Sequence, residues 1–254
     1  MEKKTVFITG ASSGIGLACA HRFAETGANL LLCARRKDRI DKIVLELASR
    51  YKIKVHGFAL DVRKQKEVDL AWDSLPEEWK AIDILVNNAG LASGFSKLHE
   101  GNISDWDDMI DTNIKGLLYI TRRVVPEMVR LNRGDIVNIG SIAGHEVYPN
   151  GNVYCATKYA VKALTQGLRI DLVGTPIRVS TVDPGMVETE FSIVRFHGDK
   201  NKADSVYKGL SPLAAEDIAE TVYFCVSRPK HVQIAEIVVL PTAQKSAVIV
   251  HRDS

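Results

Sequence analysis

The stretch Thr5-Val6-Phe7-Ile8-Thr9-Gly10-Ala11-Ser12-Ser13-Gly14-Ile15-Gly16 places a short apolar run directly before a glycine-rich turn. The apolar run predicts a buried β-strand that ends near Gly10, and the residues after Gly14 predict the first turn of a helix. Glycine lets the backbone turn tightly and approach a ligand, and the free N–H groups at the start of a helix attract an anion. This order of strand, glycine turn and helix is typical of a nucleotide-binding unit.

The glycines are spaced GxxxGxG rather than GxGxxG, so their position after the first strand supports the prediction more than their spacing does. We expect the turn to bind the phosphates of a dinucleotide through Gly10, Ser12, Ser13, Gly14, Ile15 and Gly16. The same residues also satisfy GxSxG, the nucleophile elbow of hydrolases. That elbow normally follows several strands and needs a later acid and histidine, whereas His231 and His251 resemble a loop residue and a tail residue. The nucleotide interpretation is therefore favoured.

Short apolar runs alternate with longer amphipathic segments along most of the chain. The predicted strands are Thr5–Ile8, Asn29–Cys33, Lys54–Ala59, Ile82–Val86, Asp135–Ile139, Arg178–Val182 and Glu236–Leu240. The predicted helices are 15–26, 38–50, 65–74, 104–131, 152–173 and 215–226. Strands that are apolar throughout suit a sheet buried on both faces. The pattern predicts a single-domain α/β Rossmann fold with a doubly wound, seven-stranded parallel sheet and helices on both faces. The irregular segment 186–213 is expected to be a lid over the site.

The composition excludes several classes of protein. Of the 254 residues, 46% are hydrophobic and 25% are charged, and the formal net charge is +2, which predicts no nucleic-acid binding. No apolar run approaches the roughly 18 residues that span a membrane. The cysteines show no zinc or redox spacing, so we expect buried free thiols, no metal site and a cytoplasmic protein.

The end of the second predicted strand indicates which dinucleotide binds. An NAD-binding chain usually has a carboxylate there, which accepts a hydrogen bond from the ribose 2′-hydroxyl. This chain has Arg35 and Arg36 instead, and a guanidinium can bind the 2′-phosphate of NADP through charge-assisted hydrogen bonds. The alternative is that both arginines are solvated residues at a helix start. Further cofactor contacts are expected after strands three and four, from Asp61, Val62, Asn87, Ala89 and Gly90.

Tyr154 and Lys158 are four residues apart in a predicted helix, so their side chains share one face. Ser141 precedes them, after the strand Asp135–Ile139, at the edge of the sheet where ligands bind in such folds. A model tyrosine titrates near pH ~10. A neighbouring ammonium and the positive ring of an oxidised nicotinamide both favour the phenolate, which suits Tyr154 to acid–base chemistry on a hydroxyl or carbonyl.

Together these elements resemble the short-chain dehydrogenase/reductase family: the glycine turn, Asn87-Asn88-Ala89-Gly90, Asn113, Ser141, Tyr154 with Lys158, and Pro184-Gly185 with Thr189. The resemblance implies that Tyr154 is the general acid/base and that Ser141 binds the substrate oxygen. It implies that Lys158 binds the nicotinamide ribose and that Asn113 holds a water in a proton relay. Groups around Pro184, Gly185, Val187 and Thr189 would hold the nicotinamide carboxamide. An asparagine within a helix could also mark a kink.

Four segments in the second half of the chain resemble the NADP-dependent 3-hydroxy acid dehydrogenases of this family, which act on serine, L-allo-threonine and related 3-hydroxy acids. The segments are Gly144–Pro149, Val187–Ser192, Val194–Asp199 and Leu240–Gln244. Such a substrate carries a carboxylate, and Arg195 is our candidate to bind it. Alternatively, Arg195 is a surface residue or pairs with Glu188 or Glu190. The candidate substrate-binding residues are Ser141, Tyr148, Tyr154 and Arg195.

Other functions remain open at this point. A broader carbonyl or 3-oxoacyl reductase would share the tetrad and differ in its pocket, and a nucleotide-binding sensor would bind NADP without turnover. The family commonly forms homotetramers, and the resemblance implies that helices such as 104–131 and 152–173 form the contacts.

Overall fold

The structure, a computed structural model, describes residues 1 and 3–253. Its centre is one sheet of seven strands in the order β3-β2-β1-β4-β5-β6-β7, and every neighbouring pair is parallel. The strands are β1 (Thr5–Thr9), β2 (Asn29–Ala34), β3 (Val55–Ala59), β4 (Ile84–Asn87), β5 (Asp135–Ile139), β6 (Arg178–Pro184) and β7 (Glu236–Val239). The strand order reverses between β1 and β4, which opens a crevice at the carboxyl ends of the strands. The predicted doubly wound sheet is confirmed.

Helices cover both faces of the sheet and fill the connections between strands. They are α1 (Gly14–Glu25), α2 (Lys37–Tyr51), α3 (Gln65–Ser74), α4 (Ile103–Ile110), α5 (Leu117–Arg130), α6 (Asn152–Asp171), α7 (Phe191–Arg195), α8 (Lys200–Ser205) and α9 (Ala215–Ser227). The predicted helix over 104–131 is helical over nearly its whole length, but the π-helical segment Asp111–Gly116 interrupts its α-helical hydrogen bonding and separates α4 from α5. Such segments often mark functional sites.

Side chains alternate between the two faces of the sheet, which produces two separate cores. On β1, Val6 and Ile8 pack into a core with residues of α1, α2 and α9, whereas Phe7 packs into a core with residues of α3 and α5. Full burial of one such side chain contributes roughly 1.5–3 kcal/mol to stability. The expectation that every strand is buried on both faces is wrong for the edge strands, because β3 and β7 are partly exposed.

Among the described residues, none of the helices combines the length and apolar character that crossing a bilayer requires. All four cysteines are buried and free, as expected.

The irregular segment 186–213 contains α7 and α8, and its two ends are tied together. Val187 and Leu213 form an isolated parallel bridge. The Leu213 amide donates to the Met186 carbonyl, and the Glu188 amide donates to the Leu213 carbonyl, each at 2.9 Å. The segment therefore leaves the sheet after β6 and returns to the same point before α9.

Candidate active site

A cavity of about 940 Å³ lies at the carboxyl ends of the strands, between the sheet and the segment that carries α7 and α8. Most of the predicted site residues line it: Gly10, Ser12, Ser13, Gly14, Ile15, Arg35, Arg36, Asp61, Val62, Ala89, Gly90, Ser141, Tyr148, Tyr154, Lys158, Pro184, Gly185, Val187, Thr189 and Arg195. Three predicted residues, Gly16, Asn87 and Asn113, do not belong to its lining.

Close packing explains why the first turn needs glycine. Gly10 has a φ of +66°, and a Cβ there would lie 2.9 Å from both the Ala89 Cα and the Asn88 Nδ2. A Cβ at Gly16 would lie 2.5 Å from the Gly10 carbonyl oxygen, so Gly16 lets α1 pack against the turn instead of facing the cavity. The Asn88 Nδ2 donates to the carbonyls of Thr9 and Gly10 at 2.9 and 3.2 Å. Asn88 thereby fixes the turn from β4.

Asn87 and Asn88 have different environments although they are neighbours in the same motif at the end of β4. The Asn87 Nδ2 donates to the Asn138 Oδ1 at 2.9 Å and to the Thr121 Oγ1 at 3.1 Å, so its side chain lies between β4, β5 and α5. Because side chains alternate along a strand, only one of two successive residues can face the glycine turn. A contact between the Asn87 side chain and the cofactor stays a prediction.

Arg36 holds the glycine turn and the segment after β6 together. Its Nη2 donates to the Ser12 and Ser13 hydroxyls at 2.9 and 2.7 Å, and its Nη1 pairs with the Glu190 carboxylate at 2.7 Å. Arg39 binds the other oxygen of Glu190 at 2.7 Å. These contacts with Arg39 and Arg36 lower the pKa of Glu190 to about 2. Arg35 is exposed and lines the cavity, and its guanidinium has no hydrogen bond or ion pair with the described residues.

Asp61 and Val62 also line the cavity, after β3. The Asp61 carboxylate accepts two hydrogen bonds from the Arg63 Nε at 3.0 and 3.1 Å and one from the Arg63 Nη2 at 2.7 Å. Asp61 is therefore already paired, and Val62 provides an apolar surface beside it. Such a pair of residues suits contact with a purine ring.

Tyr154 and Lys158 lie one turn apart on α6 and are both buried, with 8% and 7% exposure. The Lys158 Nζ lies 5.8 Å from the centroid of the Tyr154 ring and donates to the Ile139 carbonyl at 2.9 Å. Burial lowers the pKa of Lys158 to about 8, and the attraction of Asp183 opposes this shift. The ammonium is thus held at the end of β5 by a single described hydrogen bond.

The pKa of Tyr154 differs from our expectation. Burial raises it above the ordinary value, and the Tyr148 phenol raises it further. The Arg195 guanidinium and the Ser141 hydroxyl lower it, but they do not offset the burial. The groups of the protein alone therefore keep Tyr154 a neutral phenol, because a phenolate in this apolar place would lose its hydration.

Asn113 lies in the π-helical segment and holds the chain after β4. Its Oδ1 accepts from the Leu91 amide at 2.9 Å, and its Nδ2 donates to the Leu91 carbonyl at 2.8 Å and to the Thr157 Oγ1 at 3.0 Å. A Cβ at Gly90 would lie 3.3 Å from the Asn113 Oδ1 and 3.7 Å from the Lys158 Nζ. Asn113 and Lys158 therefore both lie beside Gly90. A water relay through it stays a prediction.

Arg195 enters the cavity from the end of α7. Its Nη2 donates to the Tyr148 hydroxyl at 2.8 Å, and its guanidinium carbon lies 5.1 Å from the Tyr154 ring centroid and 4.9 Å from that of Phe191. Its Nε is buried and has no hydrogen-bond partner in the described chain. Across the described residues, no carboxylate pairs with Arg195, and Glu190 binds Arg36 and Arg39 instead.

Sequence reasoning missed three residues that shape the site. Phe191 packs edge-on against the Tyr154 ring at 5.5 Å, Asn88 holds the glycine turn, and Glu190 pairs with Arg36. Asn88 could have been found, since it belongs to the quoted motif after β4. The contacts of Phe191 and Glu190 join parts of the chain that are far apart in sequence, so no local pattern indicates them.

The crevice has glycine and arginine donors at one end and a phenol, an ammonium and a hydroxyl at the other. This arrangement defines the class of α/β oxidoreductases that transfer a hydride and a proton beside a bound dinucleotide. The model of the short chain dehydrogenase family matches residues 4–199, and the chain belongs to this family.

Several relatives match nearly the whole chain. An NADP-dependent 3-hydroxy acid dehydrogenase of Schizosaccharomyces pombe is 48% identical over 253 residues, covering 99% of this chain and 98% of the relative. Sulfoacetaldehyde reductase 2 of Chromohalobacter salexigens is 45% identical over 250 residues, covering 98% of each. The solved closed form of serine dehydrogenase complexed with NADP+ is 43% identical, with a TM-score of 0.91, covering 98% of this chain and 100% of that chain.

Proposed function

We propose that the protein is an NADP-dependent oxidoreductase that interconverts a 3-hydroxy acid and its 3-oxo acid. The substrates would be of the serine, L-allo-threonine or 3-hydroxyisobutyrate type. The observation that carries this proposal is the position of Arg195. Its guanidinium lies 5.1 Å from the Tyr154 ring, inside the cavity and without a carboxylate partner among the described residues. A free cation beside the acid–base residue suits a substrate with an anionic group near its reacting carbon.

The donor set of the cavity fits NADP. The glycine turn offers N–H groups to the pyrophosphate, and a Cβ at Gly10 would close the space that the backbone needs. The unpaired Arg35 guanidinium, with Arg36, would hold the 2′-phosphate, and Val187 and Thr189 would hold the carboxamide. Bound NADP supplies a hydride acceptor in one direction and a hydride donor in the other.

The chain itself would bind the substrate oxygen and move the proton. The Ser141 hydroxyl would donate a hydrogen bond to the oxygen of the reacting carbon. The Tyr154 oxygen would take up the proton of that oxygen as a phenolate, and would give a proton to it as a phenol in the reverse direction. Burial raises the pKa of Tyr154, so a phenolate requires positive charge nearby. Lys158 and the oxidised cofactor would provide that charge, and Arg195 adds to it.

A second candidate function is the reduction of an aldehyde that carries a sulfonate. Similarity to sulfoacetaldehyde reductase 2 of Chromohalobacter salexigens favours it, at 45% identity over 98% of the chain. A sulfonate, like a carboxylate, is an anion with oxygens that a guanidinium can bind. The position of Arg195 therefore supports both candidates.

A substrate panel with both cofactors tests the proposal. L-serine, L-allo-threonine, 3-hydroxyisobutyrate and an uncharged secondary alcohol are oxidised with NADP+ or NAD+, and sulfoacetaldehyde is reduced with NADPH, while the absorbance of the reduced nicotinamide is followed. We expect NADP+ to be preferred and the 3-hydroxy acids to have the highest kcat/KM. An equal kcat/KM for the uncharged alcohol would favour the broader carbonyl reductase. NADPH binding with no turnover of any compound would favour the sensor.

A further inference from the structure

Four polar side chains form a network beneath the turn that carries Ser141. We call the side chains of His145, Lys162, Asp183 and Glu236 the His145 network. His145 follows the turn that carries Ser141, and Lys162 lies on α6 one turn after Lys158. Asp183 lies near the end of β6, and Glu236 begins β7. The Asp183 carboxylate is 2% exposed. None of the reaction steps described above uses these residues.

The contacts of the two His145 ring nitrogens indicate which of them donates. The Lys162 Nζ lies 2.9 Å from the His145 Nδ1, and the His145 Nε2 lies 2.9 Å from the Asp183 Oδ2. An ammonium can only donate, so Nδ1 accepts and Nε2 carries the hydrogen that is donated to Asp183. Glu236 accepts from Lys162 at 3.3 Å. The side chains of His145, Asp183 and Glu236 lie close enough together to hold a metal ion. The Lys162 ammonium, however, already provides a cation between His145 and Glu236.

The Asp183 carboxylate is fixed from two sides. The Thr181 hydroxyl donates to its Oδ1 at 2.7 Å, and His145 donates to its Oδ2. A buried carboxylate loses its hydration, and these hydrogen bonds replace part of it. The Asp183 carboxylate therefore has a fixed position in a place where water is excluded.

Asp183 and Lys158 contact the same short piece of backbone. The Lys158 Nζ donates to the Ile139 carbonyl, and the next residue, Gly140, packs so closely on the Asp183 carboxylate that a Cβ there would collide with it. The Gly140 amide also donates to the Val182 carbonyl at 2.8 Å. Ser141 follows immediately, so one carboxylate lies next to the backbone that holds both Lys158 and Ser141.

We propose that Asp183 is a positioning residue for the proposed reaction: its fixed carboxylate supports the Ile139–Ser141 backbone and so holds the Lys158 ammonium and the Ser141 hydroxyl in place. The inference rests on the proposed function. Among the described residues, Tyr154 faces Lys158 from its own helix, Arg195 faces Tyr154 from α7, and Asp183 on β6 attracts the Lys158 ammonium. Behind Asp183, the facing groups are His145, Lys162 and Glu236. The attraction of Asp183 raises the pKa of Lys158 against the effect of burial, which agrees with this role.

The test is the pH profile of kcat for the Asp183→Asn variant with a 3-hydroxy acid and NADP+. Without the carboxylate, Lys158 loses its proton at lower pH, so the alkaline limb should move down by about one pH unit. A less charged Lys158 also supports the phenolate less, so the acid limb should move up and the profile should narrow. Limbs at the wild-type positions would overturn the proposal.

Thr181→Val is the matched control, because it removes a hydrogen bond to the same carboxylate and keeps the charge. Thr181→Val should lower the free energy of unfolding and leave both limbs of the pH profile in place. A shift of the limbs equal to that of Asp183→Asn would mean that a general loosening of the structure causes the shift in both variants, and would overturn the proposal. If Asp183→Asn does not fold, His145→Ala admits water beside Asp183 and should move the limbs in the same directions by less. If both limbs of the His145→Ala profile then lie at the wild-type positions, the proposed role of Asp183 is contradicted.

The wild-type profile separates this inference from the proposed function. If the wild-type protein oxidises no 3-hydroxy acid, the proposed function fails. If the wild type is active and the limbs of the variant coincide with its limbs, only the role of Asp183 fails. NADPH binding by nicotinamide fluorescence, measured for each variant, shows whether the cofactor site is intact.

Discussion

Lys158 carries its charge in surroundings that oppose it. The side chain is 7% exposed, and burial lowers the pKa of the ammonium to about 8. Its folded value is below the unfolded value of 10.5, so the unfolded chain binds more protons between pH 8 and pH 10.5. The charge therefore destabilises the cofactor-free protein fully below pH 8, and the cost disappears as the pH rises through this window. A residue retained at such a cost is expected to serve the chemistry.

Lys158→Met should therefore stabilise the cofactor-free protein at pH 7 while abolishing turnover. Removing the buried charge should raise the free energy of unfolding by roughly 3 kcal/mol, the equivalent of the pKa shift. Losing the hydrogen bond to the Ile139 carbonyl should lower it by about 1 kcal/mol, so we expect a net increase of about 2 kcal/mol. Urea unfolding at pH 7 and at pH 10.5 measures it. The gain should shrink at the higher pH; a destabilised variant, or a gain independent of pH, would contradict this explanation.

Arg195 is the residue that we propose selects the substrate. Arg195→Ala should reduce kcat/KM for a 3-hydroxy acid by roughly 10- to 100-fold, mainly through KM, because a charge-assisted hydrogen bond contributes about 1.5–3 kcal/mol. An uncharged secondary alcohol should be affected little. Arg195→Lys is the matched control, since it keeps the positive charge but lacks the planar guanidinium. Its kcat/KM for the 3-hydroxy acid should lie between the values of the wild type and of Arg195→Ala. An equal loss on both substrates would remove the carboxylate role.

Individual site residues could be predicted where the chemistry depends on a local pattern. Tyr154, Lys158 and Ser141 line one cavity because helix periodicity and the edge of the sheet determine their positions. The sequence could not show that Arg195 lies against Tyr148 and Tyr154, since α7 folds back from a segment without periodicity. Nor could it show that burial outweighs charge at Tyr154, because desolvation depends on the whole surrounding fold.

At the scale of elements, one contact joins the segment after β6 to the start of α2. Glu190, directly before α7, binds Arg36 and Arg39 with 2.7 Å contacts to each. Glu190 is about half exposed, so solvent weakens these ion pairs. Its carboxylate occupies donors that a 2′-phosphate could use. It also adds negative charge beside the site expected for that phosphate.

Glu190→Gln should therefore tighten NADPH binding by roughly fivefold, or about 1 kcal/mol, and leave NADH binding nearly unchanged. Nicotinamide fluorescence titration with both cofactors measures the two Kd values. Asp41→Asn is a suitable control, because Asp41 forms a similar exposed pair with Lys37 on α2 and does not line the cavity. Weaker NADPH binding in Glu190→Gln would instead mean that the ion pairs hold the site together.

The interruption between α4 and α5 shows the limit of pattern-based prediction for elements. One extra residue in a turn hardly changes the apolar period, so 104–131 reads as one helix. The structure places Asp111–Gly116 in a π-helical turn, where Asn113 reaches the backbone of Leu91. Asn113 thus lies at an irregularity of the helix and is also the residue for which a catalytic role is predicted.

At the scale of the whole molecule, the sheet was predictable because its central strands are apolar on both faces and alternate with helices. The edge strands β3 and β7 deviate because each has only one neighbouring strand. A homotetramer stays a prediction. The exposed apolar side chains of Leu118 and Val129 on α5 and of Ile170 on α6 are consistent with contacts between subunits there.

The proposed function depends on Tyr154 as the proton-transferring group of an NADP-linked reaction. The most direct test is turnover of a 3-hydroxy acid with NADP+ by Tyr154→Phe, with NADPH affinity measured in parallel. General acid–base catalysis contributes roughly 10²–10⁴-fold, so we expect kcat to fall at least that far while the Kd for NADPH stays within a few-fold of wild type. Substantial residual turnover in a variant that binds NADPH normally would contradict the account.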